Sequence, residues 1–360
     1  MSNILIVTQK LSYGGAPKRL LMISKILIQN NNKVFIASTG GELYGTENNI
    51  TFIKLRHSKG PLGRICSYLF NFFKLYKIIV HKSIDKIVCN TRHLFFLCKI
   101  LNVITGVKYL NIIQGTPRAY RFFRYFYGDK ILSVSNSTTK YLVYNVGMST
   151  KKIITINNTV PKLKKYNLQK NKCLKKKLNL GDSIILTCIG RYDKIKGHKY
   201  IIKAISQIVY NCNYHNVKLV FMGFGEYKNC INQMILNNKL ADYVLMLPKD
   251  YNVEHVINIT DIAILVSFRE GLSSFLLEVM SIGKAIVASD IPGNNELIDH
   301  NKNGVLVPVK NSVELRKELV DLINNKDKRN KLAINSVKRY ETEFSFNEYQ
   351  KNIISFFESE

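Results

Sequence analysis

The segment 268–298 reads FREGLSSFLLEVMSIGKAIVASDIPGNNELI, and the fold is interpreted outward from it. It follows an apolar run, Ile262–Val266, that is typical of a buried strand. Glu270 and Gly271 then form a turn, one of the next two serines caps a helix, and Gly283 follows its last turn. Exposed N–H groups and the helix dipole make such a helix start an anion site, so a diphosphate is the predicted ligand.

Two carboxylates stand beside this predicted anion site. Glu270 is placed in the turn to accept hydrogen bonds from sugar hydroxyls, and Glu278, eight residues later, from ribose hydroxyls. Glu278 lies between Leu277 and Val279, in an apolar run where a carboxylate needs a partner. The alternative is that Glu270 is a loop charge and Glu278 a solvated helix residue.

A second segment, IGRYDKIKGHKY at 189–200, follows another strand-like run, Ile184–Ile189. Gly190 permits a tight turn, after which Arg191 and Lys196 project from a loop. Two cations near a phosphate site stabilise a departing diphosphate without a metal ion. The alternative is a solvated basic turn, which is common in a lysine-rich chain.

Glycines follow two further predicted strands. Gly14 and Gly15 come between the first strand and the first helix, and Gly223 follows the strand Val217–Met222. Both positions suit a phosphate-binding turn, although neither contains a complete G-x-G-x-x-G.

Taken in order, these segments resemble the retaining glycosyltransferases of family 4, which have the GT-B architecture. The resemblance covers most of the chain and is more specific in its second half. The matching positions are Gly14 and Gly15; Gly190, Arg191, Lys196 and Gly197; Gly223 and Gly225; Glu270 and Glu278; Gly293 and Glu296; and Gly304, Leu306, Val307 and Pro308.

The resemblance implies a role for each site residue. Arg191, Lys196 and Glu270 would be catalytic, the two cations holding the donor diphosphate and Glu270 the transferred sugar. The implied donor-binding residues are Gly15, Gly190, Gly223, Gly271, Leu272, Ser273 and Glu278. The family needs no cofactor and no divalent metal, because the nucleotide sugar is itself a substrate, and this sequence contains no Asp-x-Asp.

The acceptor side departs from the family pattern. Gln114 stands where family members often carry a histidine, and a glutamine can bind a sugar hydroxyl but cannot shuttle a proton. His93, near another strand end, is a substitute candidate, although an ordinary surface histidine is the plainer interpretation. Gly14 completes the acceptor-side candidates, and Pro17 replaces a common glutamate nearby.

Short apolar runs alternate with helical stretches along the chain, which predicts βαβ units and parallel sheets. The expected fold class is α/β, with two Rossmann-like doubly wound domains facing across a cleft. The expected domains are an acceptor domain at 1–165, a nucleotide-sugar domain at 166–343, and a C-terminal helix at 344–360 that packs on the first domain. The polar segment 162–182 is interpreted as a linker.

The net charge of +28 is concentrated in the first half of the chain, where residues 1–165 hold 26 Lys and Arg against four acids. The segments 61–82 and 118–130 interleave aromatic and basic residues, which favours an anionic membrane surface as a partner. The alternative is that these aromatics face the core. Seven scattered cysteines without a C-x-x-C favour a reducing compartment, and no apolar run of 18 residues predicts a membrane span. The expected location is therefore cytoplasmic, on the inner face of the membrane.

The sequence thus predicts a nucleotide-sugar-dependent glycosyltransferase with UDP as the favoured nucleotide and a saccharide or lipid-linked acceptor. A surface polysaccharide pathway follows from family analogy alone. Three alternatives stay open: a sugar-nucleotide epimerase of similar architecture, a donor-binding protein without catalysis, and a basic protein that binds nucleic acid or membrane. Nucleic acid is the disfavoured partner, because no helix-turn-helix, zinc-finger or RNA-stacking motif is present.

Overall fold

The computed structural model describes residues 1–115 and 121–359, without the side chain of Phe123. The chain forms two compact units. One unit comprises Met1–Asn157 together with the segment that begins at Asn347, and the other comprises Asn158–Phe346.

The first unit is built on a parallel sheet in the order β3-β2-β1-β4-β5-β6-β7. Its strands are β1 Asn3–Val7, β2 Lys33–Ser38, β3 Thr51–Lys54, β4 Lys86–Cys89, β5 Lys108–Ile113, β6 Lys130–Ser133 and β7 Ile153–Thr155. Its first helices are α1 Gly15–Gln29, α2 Pro61–His81, α3 Phe95–Thr105 and α4 Asn136–Tyr141. One turn of π-helix, Leu142–Val146, extends α4, and short 3₁₀ helices lie at Arg92–Leu94, Arg121–Phe126 and Thr150–Lys152.

The second unit repeats the plan with a parallel sheet in the order β10-β9-β8-β11-β12-β13. Its strands are β8 Ile184–Ile189, β9 Val217–Met222, β10 Val244–Leu247, β11 Ile262–Leu265, β12 Ala285–Ser289 and β13 Val305–Val307. Its helices are α5 Leu168–Lys177, α6 His198–Tyr210, α7 Lys228–Asn237, α8 Val253–Ile259, α9 Ser274–Ile282, α10 Pro292–Asn295, α11 Ser312–Asn324 and α12 Lys326–Glu343. A 3₁₀ turn, Lys194–Lys196, precedes α6.

The strands at the centre of both sheets are nearly continuous apolar runs, because helices cover both faces of a parallel sheet. In β1 and β11, for example, Ile4–Val7 and Ile262–Leu265 are all buried. The strand order reverses between β1 and β4 in the first unit and between β8 and β11 in the second. Sheets of this kind bind ligands at the carboxyl ends of the strands beside such a reversal.

The last helix, α13 Phe346–Glu358, completes the first unit. It buries Tyr349, Ile353 and the two phenylalanines near its end. Lys86 at the start of β4 donates a hydrogen bond to the Phe357 carbonyl. The C-terminal helix therefore belongs to the core of the domain that begins the chain.

The predicted α/β architecture with two doubly wound parallel sheets is confirmed. One sequence interpretation is wrong: the polar segment 162–182, taken as a linker, contains α5, whose Leu174 is buried in the second unit. The edge strand β3 was not predicted either. Among the helices that the structure describes, none combines the length and the apolar character needed to cross a membrane.

Candidate functional site

Three loops at the carboxyl edge of the second sheet are joined by main-chain hydrogen bonds. The loop after β8 donates two of them to the end of β9 and the loop after it: Gly190 N–H donates to the Met222 carbonyl at 3.0 Å, and Tyr192 N–H to the Phe224 carbonyl at 2.6 Å. Phe268 N–H, after β11, donates to the Ile195 carbonyl at 2.8 Å. The predicted motifs after β8, β9 and β11 therefore form one structural group beside the strand-order reversal.

Two glycines, one within this group and one in α10 beside it, are required because the main chain of a neighbouring loop approaches them closely. A Cβ atom on Gly223 would lie 1.9 Å from the Gly190 carbonyl oxygen, and one on Gly293 would lie 2.4 Å from the Gly271 oxygen. Any side chain at either position would push the neighbouring loop away. Local geometry thus gives a physical reason for the glycines in the G-x-G and G-x-x-E segments.

The structure brings Lys196 and Glu270 together across two of these loops. Lys196 Nζ lies 2.5 Å from Glu270 Oε1, and the side chains are only 21% and 13% exposed. A half-buried pair of this kind depends on both partners, because removing one leaves an uncompensated charge. The buried thiol of Cys188 lies behind the pair, and burial raises its pKa to about 12, so it stays protonated.

Arg191 is held differently, by an acid that the sequence interpretation overlooked. Its Nη2 lies 3.1 Å from Asp193 Oδ2, and the arginine side chain is 60% exposed. Asp193 also accepts a hydrogen bond from Ile195 N–H at 3.0 Å, which fixes the 3₁₀ turn. An exposed pair is weak, so the guanidinium is available to a ligand. The signal was present in the sequence as an acid two residues after the arginine.

The predicted donor-binding residues at the start of α9 and within it differ in whether they offer a ligand a main-chain N–H group or a side chain. Ser273 caps α9, its hydroxyl accepting from Leu276 N–H at 3.3 Å. Leu272 is buried in the core and offers a ligand only main-chain groups. Glu278 is half-buried within α9. The N–H groups of Gly271, Leu272 and Ser273 therefore stand as the candidate phosphate donors.

The acceptor-side candidates lie in the first unit. Gly14 is the N-cap of α1, which begins at Gly15. Gln114 follows β5, and its Oε1 lies 3.5 Å from Nη1 of Arg19, a buried residue of α1 that sequence reasoning missed. Burial lowers the pKa of Arg19 to about 10. Among the described residues the buried Gln114 Nε2 has no hydrogen-bond partner, which marks it as an unused donor.

His93 is exposed and lies in the 3₁₀ helix Arg92–Leu94. It lines a cavity of about 500 Å³ in the first unit, and Gln114 is not among the described residues that line this cavity. Of the two candidates for the position of the family histidine, His93 therefore lines this cavity, whereas Gln114 lies near Arg19 of α1.

His198, at the start of α6, is a buried group to which the sequence interpretation gave no role. Its ring lies edge-on between Tyr192 and Phe221, with centroid distances of 5.4 and 5.3 Å. Burial lowers its pKa to about 4, so the imidazole is neutral at pH 7. It therefore packs in the core as an uncharged ring, next to Tyr192 of the site loop.

Comparison with known proteins agrees with this fold. Residues 170–339 match the family described as glycosyl transferases group 1. The matched residues make up just under half of the chain and contain the site loops.

Two curated relatives are similar over part of their length. N-acetyl-alpha-D-glucosaminyl L-malate synthase of Bacillus anthracis is 28% identical over 43% of this chain and 40% of its own. The N,N'-diacetylbacillosaminyl-diphospho-undecaprenol alpha-1,3-N-acetylgalactosaminyltransferase of Campylobacter jejuni is 25% identical over 68% and 63%. The chain thus spans about half the length of these curated relatives.

A solved structure extends the likeness to the whole fold. Anabaena Alr3699/HepE in complex with UDP-glucose aligns with a TM-score of 0.87 at 18% identity, covering 100% of both chains. The chain shares its GT-B fold.

Proposed function

We propose that the chain is a retaining, metal-independent glycosyltransferase that uses a nucleotide-sugar donor, with UDP as the favoured nucleotide. Its acceptor is a saccharide or lipid-linked saccharide of surface polysaccharide biosynthesis. The observation that carries the proposal is the Lys196–Glu270 pair, with Arg191 in the same loop, at the strand-order reversal of the second sheet. The UDP-glucose complex of a protein with this fold supports the choice of nucleotide.

The geometry suits departure of a diphosphate. Lys196 and Arg191 supply two cations, and the main-chain N–H groups at the start of α9 supply neutral donors. Charge that develops on the leaving diphosphate would be stabilised by these fixed groups. In this proposal the bond between the sugar and the diphosphate breaks, the acceptor hydroxyl bonds to the same face of the sugar, and its proton passes to the leaving phosphate.

In the proposed reaction, Glu270 would bind the transferred sugar as well as pair with Lys196. A carboxylate bound to Lys196 accepts hydrogen bonds from sugar hydroxyls through its remaining lone pairs. Donor binding then brings Lys196 between one carboxylate and the diphosphate, so that the two anions share one cation. The sugar and the diphosphate would be oriented by a single connected set of charges, with no metal ion in the scheme.

Helix α2 supports an acceptor held at a membrane. Its exposed residues Leu62, Ile65, Leu69, Phe73, Tyr76 and Val80, between 38% and 79% exposed, follow one another at spacings of three or four. We name this row the α2 stripe. Residues 48–84 contain no acid, and Arg64 and Lys77 on α2 are exposed. An apolar row flanked by cations suits the interface of an anionic bilayer.

The second aromatic segment contributes in part. Phe122 and Tyr125 of the 3₁₀ helix Arg121–Phe126 are 64% and 60% exposed, while residues 118–120 of the predicted segment lie outside the described residues. The name of the Campylobacter relative includes a diphospho-undecaprenol group, which supports a lipid-linked acceptor here. All seven cysteines are free, which suits the reducing, cytoplasmic side of the membrane.

A panel of UDP- and GDP-sugars tests the proposal. The expected result is a thermal shift with one nucleotide series, unchanged by EDTA, and release of free nucleotide when an acceptor is added. Interconversion of the sugar nucleotide without acceptor would instead identify an epimerase. Donor binding without any transfer would identify a donor-binding protein, and salt-dependent RNA or DNA binding without nucleotide preference would favour the nucleic-acid alternative.

A further inference from the structure

A cavity of about 500 Å³ lies at the carboxyl edge of the sheet of the first unit. Its wall includes Gln9 after β1, Thr39 after β2, residues 55–58 after β3 and residues 92–94 after β4. The cavity therefore stands beside the reversal of strand order between β1 and β4, where sheets of this type bind ligands. It lies in a different unit from the Lys196–Glu270 pair.

The polar groups of the cavity are strongly biased toward positive charge. Three arginines and two histidines line it, and none of the described residues in its wall is acidic. They are Arg56, Arg64, Arg92, His57 and His93. Among the described residues, no ion pair joins Arg56 or Arg64 to an acid. The guanidinium groups of Arg56 and Arg64 repel each other in a wall whose described residues include no acid, so an anion in the cavity relieves the repulsion as well as forming new contacts.

The loop that carries Arg56 is fixed before any ligand arrives. The buried side chain of Asn71, on α2, accepts from Arg56 N–H at 2.9 Å and donates to the Arg56 carbonyl at 3.0 Å. Ser67, one turn earlier, donates to the Ser58 hydroxyl at 2.9 Å. The Arg56 guanidinium carbon lies 3.6 Å from the centroid of the Phe70 ring. Stacking and hydrogen bonds therefore reduce the entropy lost when this arginine binds a ligand.

The composition of the wall indicates the chemistry of the ligand. Guanidinium forks match phosphate oxygens in pairs, and Arg56, Arg64 and Arg92 bring three of them to one wall. Tyr68, Phe96 and Phe126 form an aromatic part of the same wall. The volume is sufficient for a diphosphate and part of an organic group.

We propose that this cavity binds the phosphate or diphosphate group of a phosphorylated acceptor. The inference rests on the proposed glycosyltransferase function and gives that function the chemical class of its second substrate. Arg56 and Arg64 are binding residues in it, and Asn71 positions the loop that carries Arg56. The phosphate belongs either to a lipid carrier or to a soluble sugar phosphate, and the experiment separates these two sources.

The test is calorimetric titration of the full chain with inorganic diphosphate in the presence of saturating UDP. UDP occupies the proposed donor site, so the diphosphate reports on a second site. The variant R56Q/R64Q removes two charges from the cavity and is expected to weaken diphosphate binding about tenfold or more. The matched control K33Q/K82Q removes two exposed charges from the same unit, outside the cavity wall, and is expected to change binding less than about twofold.

Farnesyl diphosphate then identifies the source of the phosphate. Binding about tenfold tighter than inorganic diphosphate supports a lipid carrier, because the apolar chain adds buried area, and equal affinity supports a soluble phosphorylated acceptor. Two outcomes overturn the inference: no diphosphate binding in the presence of UDP, or equal weakening in the arginine and lysine variants. UDP affinity of each variant is measured separately and checks its folding. Wild-type chain that fails to bind UDP would contradict the proposed function and leave the diphosphate result readable by itself.

Discussion

Lys196 and Glu270 are 74 positions apart in sequence, yet they meet as an ion pair. The sequence placed each residue separately at the carboxyl edge of the second sheet, because each follows a predicted strand. It did not predict that they pair. The pairing depends on the 3₁₀ turn that Asp193 fixes and on the bond from Phe268 N–H to the Ile195 carbonyl, and both are set by packing of one loop on another.

Replacing Lys196 by methionine is expected to lower kcat/KM about a hundredfold, because one cation facing the leaving diphosphate is lost. Steady-state release of UDP measures the effect. Lys194 is exposed in the same turn, and Lys194→Met serves as the control with turnover close to wild type. A Lys196→Met enzyme that is folded and fully active would remove this residue from the proposed site.

His198 is expected to make stability depend on pH. Burial lowers its pKa from 6.5 to about 4. Between these two pH values the imidazole is protonated in the unfolded chain and neutral in the folded chain. The free energy of unfolding should therefore fall by up to about 3 kcal/mol as the pH drops from 6.5 to 4, and be unaffected by this group above 6.5.

Urea titrations at several pH values measure this slope. His198→Phe should flatten it whatever its effect on stability at pH 7, whereas His81→Gln, at an exposed position of α2, should leave it unchanged. An identical slope in wild type and His198→Phe would show that other groups carry the acid sensitivity.

At the scale of an element, α2 departs from the usual rule that a helix buries its apolar side chains and exposes its polar ones. It buries Ser67 and Asn71 along with Leu75 and Ile79, while the α2 stripe faces outward. The sequence showed the mixture of aromatic and basic residues, but it left open which side faced the core. That choice is made by the loop after β3, whose main chain and Ser58 receive the polar side chains of the helix.

Substituting Leu69 and Phe73 of the α2 stripe by serine is expected to weaken binding to anionic vesicles about tenfold or more, because two large apolar side chains no longer enter the interface. Vesicle co-sedimentation at two salt concentrations measures it. Ile334→Ser provides a control, since Ile334 is 69% exposed on α12 of the second unit. Equal binding of the variant and wild type, or equal binding to neutral vesicles, would contradict the proposed membrane surface.

At the scale of the whole molecule, alternation of apolar runs was sufficient to predict two parallel α/β sheets. Buried strands with nearly continuous apolar sequence, such as β8 and β11, carry that signal clearly. The edge strand β3 does not, because none of its residues is fully buried and it begins and ends with a polar residue. Helix α5 was missed for a related reason, because a run of lysines reads as solvated linker although Leu174 anchors it to the second unit.

Removal of residues 346–360 is expected to destabilise the first unit selectively. The cut exposes the core positions that Ile353 and Phe356 cover and deletes the hydrogen-bond partner of Lys86. Together these losses should lower the free energy of unfolding of the first unit by about 3 kcal/mol or more. Thermal unfolding should show an early transition, while UDP binding, assigned to the second unit, persists below it. Unchanged unfolding in the shortened chain would mean that α13 adds little to the domain.

The assignment of α13 to the first unit has a consequence for synthesis on the ribosome. The second unit is one continuous stretch, so it can fold as soon as its own residues have emerged. The first unit is interrupted, and until the segment from Asn347 onwards leaves the exit tunnel its sheet lacks a covering helix. The first unit would therefore be translated first but complete its folding last. Until it does so, its uncovered apolar surface and the α2 stripe would be accessible to chaperones or to the bilayer.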